Sequence, residues 1–521
     1  MKKTFLAILV VCLGLSNSPL FAQTYSLENI KRNYSRGSGP IVKNNQVSGY
    51  YFFYLIDKMD KKTNLYKLSI TDANFQEVAK KEISGPSNLV VLDAAYNEEV
   101  LAVKLVDYKS KVETQSIKFF DNAAKELKTV SLPFDMTAAL LANNIKTPAD
   151  LETSTLHPID GKGFINLTSI TTKGGVYKRT GVSIDMIPSA TGYKNWHYET
   201  PAKLIEIPEF LGYNEEVAFF SIMRKESYMK NVMKFSISAM DLKTGKVRFD
   251  KEFTDDKYLL DIVSINNDEN SDNTYFFGSL MDKDKKAAAA KTLGMFIAKI
   301  DNDGNIKQKS TFLWKDVAKD FNPVNEKGDP VDIGNIYIHK VITNADGKIY
   351  AIGERFYKAA SGMGIAMNVL GALGGGSPSA SVVKIVVAEL VIIELGKDLS
   401  PVSIEMIEKG KNTVELPMGA GMLGTVVLGP YAKQAGGFDY QFSQIFDDKE
   451  GFTTVYKSNE RKDRFVNTYT VLDGVKSRDK ISLKTESSKL YVFPAKAGYL
   501  AITEYFKKEK KMNSRLEKFK H

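Results

Sequence analysis

The sequence contains a single cysteine, Cys12, and it lies in the apolar segment at the N-terminus. Once that segment is cleaved as a leader, the chain has no thiol, which excludes disulfides, cysteine nucleophiles and thiolate metal sites. A chain of 521 residues is nevertheless large enough to rely on its hydrophobic core without covalent cross-links.

Motifs that carry chemistry are also scarce. None of the four histidines has the spacing of an H-E-x-x-H metal site, and no G-x-S-x-G motif is present. The run Asp301-x-Asp303-Gly304 lacks the later ligands of a calcium loop and predicts a hairpin turn. We therefore predict no catalytic residue, no metal site and no cofactor from motifs.

The first 22 residues have the features of a signal peptide. Lys2 and Lys3 form its charged region, residues 5–15 form its apolar region, and Ala22-Gln23 fits a cleavage point. The apolar stretch of about 11 residues is too short to cross a bilayer. We therefore expect an exported protein, periplasmic or extracellular, with no integral membrane span after cleavage.

The net charge of +9 is concentrated at the two ends of the chain. Two positive charges belong to the signal peptide, and the segment 507–521 holds seven Lys or Arg against two Glu. The remaining body is nearly neutral, which argues against a nucleic-acid partner. We predict that 507–521 is a basic, solvated C-terminal tail, with contact to an anionic surface as the alternative.

A pattern of four short strands recurs along the chain. Its clearest trace is Tyr96-Asn97-Glu98-Glu99-Val100, which returns as Tyr213-Asn214-Glu215-Glu216-Val217, each time between two apolar strands. Repeated antiparallel units of roughly 50 to 65 residues are typical of a β-propeller. The sequence therefore predicts an all-β fold in one domain over 23–506, and the alternatives are a β-sandwich array or two unrelated β domains.

The units number seven to eight. Seven have the strands of a four-stranded blade, whereas an eighth begins at Leu490–Phe493 and continues at Tyr499–Phe506. Propeller rings often close by combining strands from both termini, so Tyr25–Ile30 is expected to complete that last blade. A seven-bladed ring remains the alternative.

Long insertions, some helical and some rich in glycine, interrupt the repeat at 133–149, 315–331, 359–381 and 410–438. In four-stranded blades with this order of strands, all four map to the same face of the ring. Long loops gathered on one face of a rigid scaffold are where binding or catalysis usually resides.

Two insertions contain segments rich in methionine and glycine, 361–374 and 417–429. They could pack together as a cap, expose an apolar patch that binds a protein, lipid or apolar ligand, or insert into a membrane. The candidate binding residues are Met363, Met367, Leu370, Met418, Met422 and Leu423.

His339 follows an apolar run on a predicted innermost strand, where it could face the central channel or serve as a structural residue.

Three functions are compatible with these sequence features. A monomeric, non-catalytic binding or scaffold protein predicts an apolar groove without a cluster of buried ionisable groups. A hydrolase or lyase acting on envelope or extracellular glycans or peptides predicts carboxylates or His339 converging at the channel. A membrane-associated assembly factor would use the Met/Gly segments and the basic tail.

The leader ending in Ala22-Gln23, the Lys/Asn-rich body and the repeated strand units resemble the uncharacterised secreted β-propeller-like proteins of Bacteroidota. The resemblance extends over the whole chain. It implies the propeller fold and export, and it implies no particular activity.

Overall fold

The computed structural model describes residues 24–519, except for 45, 108–113, 135–153, 175–176, 202–204, 226–232, 254, 269–270, 284–291, 322–332, 334, 361–382, 417–423, 447–450, 461–462 and 484–486. The predicted signal peptide and the six candidate Met and Leu residues lie outside the described residues.

The described strands form eight antiparallel sheets, and seven of them are made of strands that follow one another in the chain. Within a sheet the first strand lies nearest the axis of the ring and the fourth lies outermost. Blade one contains β2 (Arg32–Lys43), β3 (Gln46–Lys58), β4 (Thr63–Asp72) and β5 (Glu77–Pro86). Blade two contains β6 (Leu89–Tyr96), β7 (Leu101–Asp107), β8 (Thr114–Phe120) and β9 (Glu126–Pro133). Blade three contains β10 (Leu156–Ile159), β11 (Gly163–Gly174), β12 (Tyr177–Pro188) and β13 (Trp196–Glu199).

The next four blades repeat this arrangement. Blade four contains β14 (Ile205–Tyr213), β15 (Val217–Lys225), β16 (Met233–Asp241) and β17 (Val247–Glu252). Blade five contains β18 (Tyr258–Asn267), β19 (Thr274–Asp282), β20 (Thr292–Ile300) and β21 (Ile306–Leu313). Blade six contains β22 (Asn335–Thr343), β23 (Ile349–Ala360), β24 (Val383–Leu395), β25 (Pro401–Ile407) and a short fifth strand, β26 (Asn412–Glu415). Blade seven contains β27 (Tyr440–Ile445), β28 (Gly451–Glu460), β29 (Asp463–Leu472) and β30 (Val475–Leu483).

Blade eight combines both ends of the chain, as predicted. It contains β31 (Lys489–Pro494), β32 (Tyr499–Phe506) and β33 (Lys511–Lys518), with β1 (Thr24–Leu27) paired to β33 as the outermost strand. The innermost strands β31 and β2 are in contact, which closes the ring. The fold is therefore an eight-bladed propeller, and neither the seven-bladed ring nor the sandwich alternative applies.

The prediction of a solvated basic tail over 507–521 is wrong for most of that segment. Residues 511–518 form β33, where Met512, Ser514 and Leu516 are buried at every second position. The basic residues Lys511 and Arg515 alternate with them on the opposite face of a strand that pairs on both edges, and Arg515 is ion-paired with Glu504. The propeller thus extends beyond residue 506.

Neighbouring blades are held together by apolar side chains. Each of the eight blade boundaries carries its own cluster of buried hydrophobic residues. At the boundary of blades four and five, for example, Phe219, Phe276 and Phe296 are almost fully buried. Both faces of each blade are covered in this way, which explains why the second strands are largely apolar on both faces.

Short polar turns are built by side chains that accept backbone hydrogen bonds. In the repeated Tyr-Asn-Glu-Glu-Val run, the Oδ1 atoms of Asn97 and Asn214 accept the amides of Val100 and Val217, each at 3.0 Å. Asp301 likewise accepts the amides of Asp303 and Asn305. These residues are therefore turn formers, which explains why the pattern repeats.

Three of the long insertions link the outer strand of one blade to the first strand of the next blade. The insertion at 359–381 links the second and third strands of blade six. Because neighbouring strands alternate in direction, both kinds of link emerge on the same face of the ring. We call this the insertion face. Two links contain the described helices, α1 (Trp314–Phe321) before blade six and α2 (Thr425–Gln434) before blade seven. Residues 135–149 of the first insertion lie outside the described residues.

Candidate functional site at the channel mouth

The innermost strands of the eight blades surround a central channel. Since neighbouring blades cover both faces of each sheet, an exposed side chain in the middle of an innermost strand faces this channel. Glu209 on β14 and Lys340 on β22 are exposed in this position, and Asp261 on β18 is partly exposed. We call the end of the channel on the insertion face the channel mouth.

β-Bulges help to orient these side chains. The innermost strands of blades four, five and six each carry one bulge, between Phe210 and Gly212, Ile262 and Ser264, and Ile338 and Lys340. A bulge inserts one unpaired residue and redirects the side chains around it. This explains why charged side chains reach the channel from strands that are otherwise apolar.

Helix α2 lies over the channel mouth and packs on blade six. Leu428 and Ala432 are buried against Tyr337 and Phe356. Gly429 fits tightly at this contact, because a Cβ atom added there would lie 2.8 Å from Cδ2 of Tyr337. The helix is therefore fixed to blade six by apolar packing.

The last turn of α2 reaches to a different blade. Lys433 Nζ lies 3.5 Å from Oε1 of Glu209 on blade four, and it also interacts with the hydroxyl of Tyr337 on blade six. Blades four and six are not neighbours, so this lysine spans the mouth. The Lys433 and Glu209 side chains are 46% and 52% exposed, so water still reaches the pair.

The enclosed position of the channel residues changes their ionisation. Burial, reinforced by the nearby charge of Glu209, raises the pKa of Asp261 to about 8. Burial lowers the pKa of Lys340. For Lys433 burial acts against the charge, but Tyr337 and Glu209 outweigh it and raise the pKa of the ammonium group.

His339 is the bulged residue of β22, and its side chain is only 5% exposed. The ring stacks on Tyr440 with centroids 4.7 Å apart and also packs on Tyr337 and Phe438. Its Nε2 atom lies 3.0 Å from Oε2 of Glu354, although the ring N–H is poorly aligned with that oxygen. The structure therefore places His339 inside the boundary of blades six and seven, away from the open channel.

The imidazole belongs to a buried set of ionisable groups, which we call the blade 6–7 cluster: His339, Glu354, Lys409 and Asp439. Lys409 Nζ lies 2.9 Å from Oε1 of Glu354 and also contacts Asp439. Glu354 accepts the backbone amides of Asp439 and Tyr440 at 3.1 and 3.0 Å. The cluster joins blade six to the start of blade seven.

Ionisation within the cluster follows from these contacts. Burial acts to raise the pKa of Glu354, but Lys409, His339 and the Tyr440 amide outweigh it and lower the pKa to about 2. Burial raises the pKa of Asp439 to about 6, with Lys409 opposing the shift and Glu354 adding to it. Burial also lowers the pKa of His339 despite the nearby Glu354. The binding hypothesis expected no cluster of buried ionisable groups, and that expectation is wrong.

The sequence contained a signal for some of these residues. Glu354 and Asp261 each interrupt an apolar run in the sequence, and an isolated charge there is costly unless it is paired or functional. Lys409 and Asp439 gave no such signal, because their role depends on where the chain leaves the outer strand of blade six. The gap between β25 and β26 turns Lys409 inward.

Nothing in the described part of the chain groups three or more His, Cys, Asp or Glu side chains in a way that could hold a metal ion. The chemistry available at the channel mouth is therefore that of separate charged groups. These are a carboxyl held near neutrality, a carboxylate paired with an ammonium group, and a second ammonium group on β22.

These features define a class of protein, an eight-bladed β-propeller whose channel is charged and is covered at one mouth by a short helix. The chain belongs to the family of unknown function DUF6770, whose model matches residues 1–520. No curated protein matches the sequence.

Several solved structures are similar in part. A prolyl endopeptidase is 11% identical with a TM-score of 0.39, over 91% of this chain and 53% of the other. Prolyl oligopeptidase B from Galerina marginata is 9% identical with a TM-score of 0.37, over 92% and 56%. Synechocystis apocarotenoid oxygenase is 9% identical with a TM-score of 0.30, over 55% and 65%. The chain thus spans about half the length of the endopeptidase that it matches.

Proposed function

We propose that this protein is an exported, non-catalytic binding protein of the cell envelope that takes its ligand at the channel mouth. The observation that carries the proposal is a set of charged side chains, Glu209, Asp261 and Lys433, enclosed at the mouth beneath helix α2. Charged groups in a concave and partly dehydrated site interact with polar ligands more strongly than groups on an open surface.

The surrounding architecture supports the same proposal. The blades form a rigid ring with a hydrophobic cluster at every boundary, and the long links are gathered on the insertion face. Binding residues on loops and helices above a rigid scaffold are a common arrangement in proteins. The blade 6–7 cluster fits this picture as a structural joint, because its charges are paired with one another and with backbone amides.

The cellular part of the proposal rests on residues 1–22, which have the pattern of a signal peptide. Export would place the mature protein in the periplasm or outside the cell, as for the secreted Bacteroidota proteins that the sequence resembles. We propose a monomer. A protein or lipid partner at the Met/Gly segments is a separate proposal, since 361–374 and 417–423 lie outside the described residues.

The binding proposal is tested by asking whether the channel retains a small molecule. Mature protein is incubated with a small-molecule extract of the cell envelope and examined by native mass spectrometry. The blocking variant is Ile207→Trp, because Ile207 is 45% exposed near the start of β14, at the mouth. The matched control is Ile306→Trp on the outer strand β21, where the isoleucine is 48% exposed.

We expect a retained mass with the natural protein and with the Ile306 variant, and its loss with the Ile207 variant. The same retained masses in all three proteins would place binding elsewhere on the molecule. No retained mass in any of them would overturn the proposal.

A second candidate function is a hydrolase or lyase acting on glycans or peptides, and Asp261 favours it. Its carboxyl has a pKa of about 8 and lies near Glu209, which is paired with Lys433. One protonated and one ionised carboxyl at a single site is the arrangement used in general acid–base catalysis. Fluorogenic glycoside and peptide substrates would test it. Turnover must be lost in Asp261→Asn and kept in Asp303→Asn, a change in an exposed turn.

The third candidate function, a membrane-associated assembly factor, is supported less well by the structure than by the sequence. Among the described helices, none is long and apolar enough to cross a membrane. The basic segment, for which contact with an anionic surface was the alternative to a solvated tail, is largely the strand β33. Only the Met/Gly segments remain as an argument for this function.

A further inference from the structure

Two charged side chains in the channel differ from the others because they have no ion-pair partner among the residues that the structure describes. These are Asp261 on β18 and Lys340 on β22, which lie on adjacent blades. The nearest charge that affects Asp261 is Glu209, which has the same sign. Two other charged groups on the innermost strands are paired: Arg36 lies 2.6 Å from Asp93, and Glu209 is paired with Lys433.

An enclosed ionisable group without a partner is costly to ionise, because part of its hydration is lost and no counter-charge replaces it. A ligand that supplies the missing counter-charges would relieve both costs at once. Asp261 calls for a cationic group and Lys340 for an anionic group. The required ligand therefore carries both signs of charge.

The strands also set how far apart the ligand's charges must be. Asp261 is the fourth residue of β18, near the channel mouth, and Lys340 is the sixth residue of β22. The far ends of the two strands lie side by side, since Asn266 Nδ2 donates to Oγ1 of Thr343. Counted back from those ends with the β18 bulge left out, Asp261 and Lys340 differ in depth by about two residues, or roughly 7 Å along the channel axis. The two charged groups of a free amino acid are closer together than that. An extended tripeptide spans about 10 Å.

We propose, as a refinement that rests on the binding function above, that the channel takes a short peptide with free termini. Its ammonium end lies at Asp261 beneath helix α2, and its carboxylate end lies deeper in the channel at Lys340. Recognition of both termini would set the orientation and the length of the ligand, while the side chains in between contribute less to selectivity. The nearby pair of Lys433 and Glu209 adds one group of each sign at the mouth and leaves this orientation unchanged.

Isothermal titration with three forms of trialanine tests the proposal: free, N-acetylated, and amidated at the carboxyl end. We expect the free peptide to bind and each blocked form to bind at least about tenfold more weakly, because each lacks one charge pair. In Asp261→Asn, acetylation should cause no further loss. In Lys340→Met, amidation should cause no further loss. Lys243→Met, in an exposed turn, should behave like the natural protein.

Circular dichroism melting curves establish that each variant is folded before titration. Equal binding of free and blocked trialanine, or no binding of the free peptide at millimolar concentration, would overturn the proposal. The proposal would also be overturned if both variants bound free trialanine more weakly while acetylation still weakened binding to Asp261→Asn and amidation still weakened binding to Lys340→Met. The wider binding function is judged separately by the masses retained in the Ile207 and Ile306 variants.

Discussion

The blade 6–7 cluster and the channel mouth are built from the same kinds of side chain and differ in how these are satisfied. In the cluster, Glu354 and Lys409 have no exposed side-chain surface and are paired at 2.9 Å. In the channel, Asp261 and Lys340 have partial access to water and no ion-pair partner among the described residues. The cluster joins blades six and seven, and the two channel residues lie on blades five and six.

The difference separates structure from recognition. A buried charge that is paired and hydrogen-bonded stabilises one arrangement of the blades, and nothing remains for a ligand to satisfy. An enclosed but unpaired charge lowers stability and is retained where a ligand uses it. Substitutions should therefore have opposite effects on stability in the two regions.

The largest effect is expected in the cluster. Lys409→Met leaves Glu354 and Asp439 buried without a counter-charge, which should lower the free energy of unfolding by about 3–5 kcal/mol. Urea denaturation at pH 7 measures the change. The double variant Lys409→Met, Glu354→Gln should lose less, because the second substitution removes one uncompensated charge. Lys411→Met, at an exposed position two residues away, is the control and should change stability by less than about 0.5 kcal/mol. Equal stability of Lys409→Met and the natural protein would remove the distinction between the two regions.

The second prediction is a gain in stability from the channel. The carboxyl of Asp261 ionises near pH 4 in the unfolded chain, whereas its pKa in the folded protein is about 8. The folded state therefore loses stability as the pH rises from 4 to 8, because it holds the proton that the unfolded state has released. Glu209 and Tyr337 face this carboxyl and add negative charge or a weak acid, so neither relieves the cost.

Asp261→Asn removes that loss. The variant should be about 2 kcal/mol more stable than the natural protein at pH 8, a value reduced for partial exposure to water, and equally stable near pH 4. Thermal or urea unfolding across this pH range measures the difference. A gain that is independent of pH would show that ionisation is not its cause. Asp303→Asn should show no gain at any pH.

The fold was largely predictable because its signal is repeated. Apolar strands, Asp- and Asn-based turns and the composite last blade all follow from local patterns that recur in each unit. The error at 507–521 has a clear cause. The dense basic charge there obscured the alternation of Met512, Ser514 and Leu516, which is the pattern of a half-buried strand.

The site was less predictable because its contacts join residues that are distant in the sequence. Lys433 meets Glu209 from another blade, and Asp439 meets Glu354, which is 85 positions away in the sequence. His339 was selected for its place on an innermost strand, but a bulge and three aromatic neighbours determine where its ring lies. Bulges depend on pairing between strands and leave no clear mark in a single sequence. The isolated charges at Glu354 and Asp261 were the one usable signal. The sequence does not show which of the two is structural and which faces the channel, because that depends on their partners in the fold.

The smallest effect is expected where the two regions meet, at helix α2. Lys433 and Glu209 are each about half exposed, so their ion pair should contribute no more than about 1 kcal/mol. Lys433→Met should therefore barely change the urea midpoint, yet hydrogen exchange of the amides in 425–434 should accelerate, because the helix then depends on its packing against blade six alone. The helix has little stability of its own, since it contains Pro430 and its first turn has no side-chain cap. Lys319→Met, in the last turn of α1, should leave exchange in α2 unchanged. A loss of stability as large as that of Lys409→Met would assign α2 to the structural core, and the channel mouth would then be closed by the fold itself.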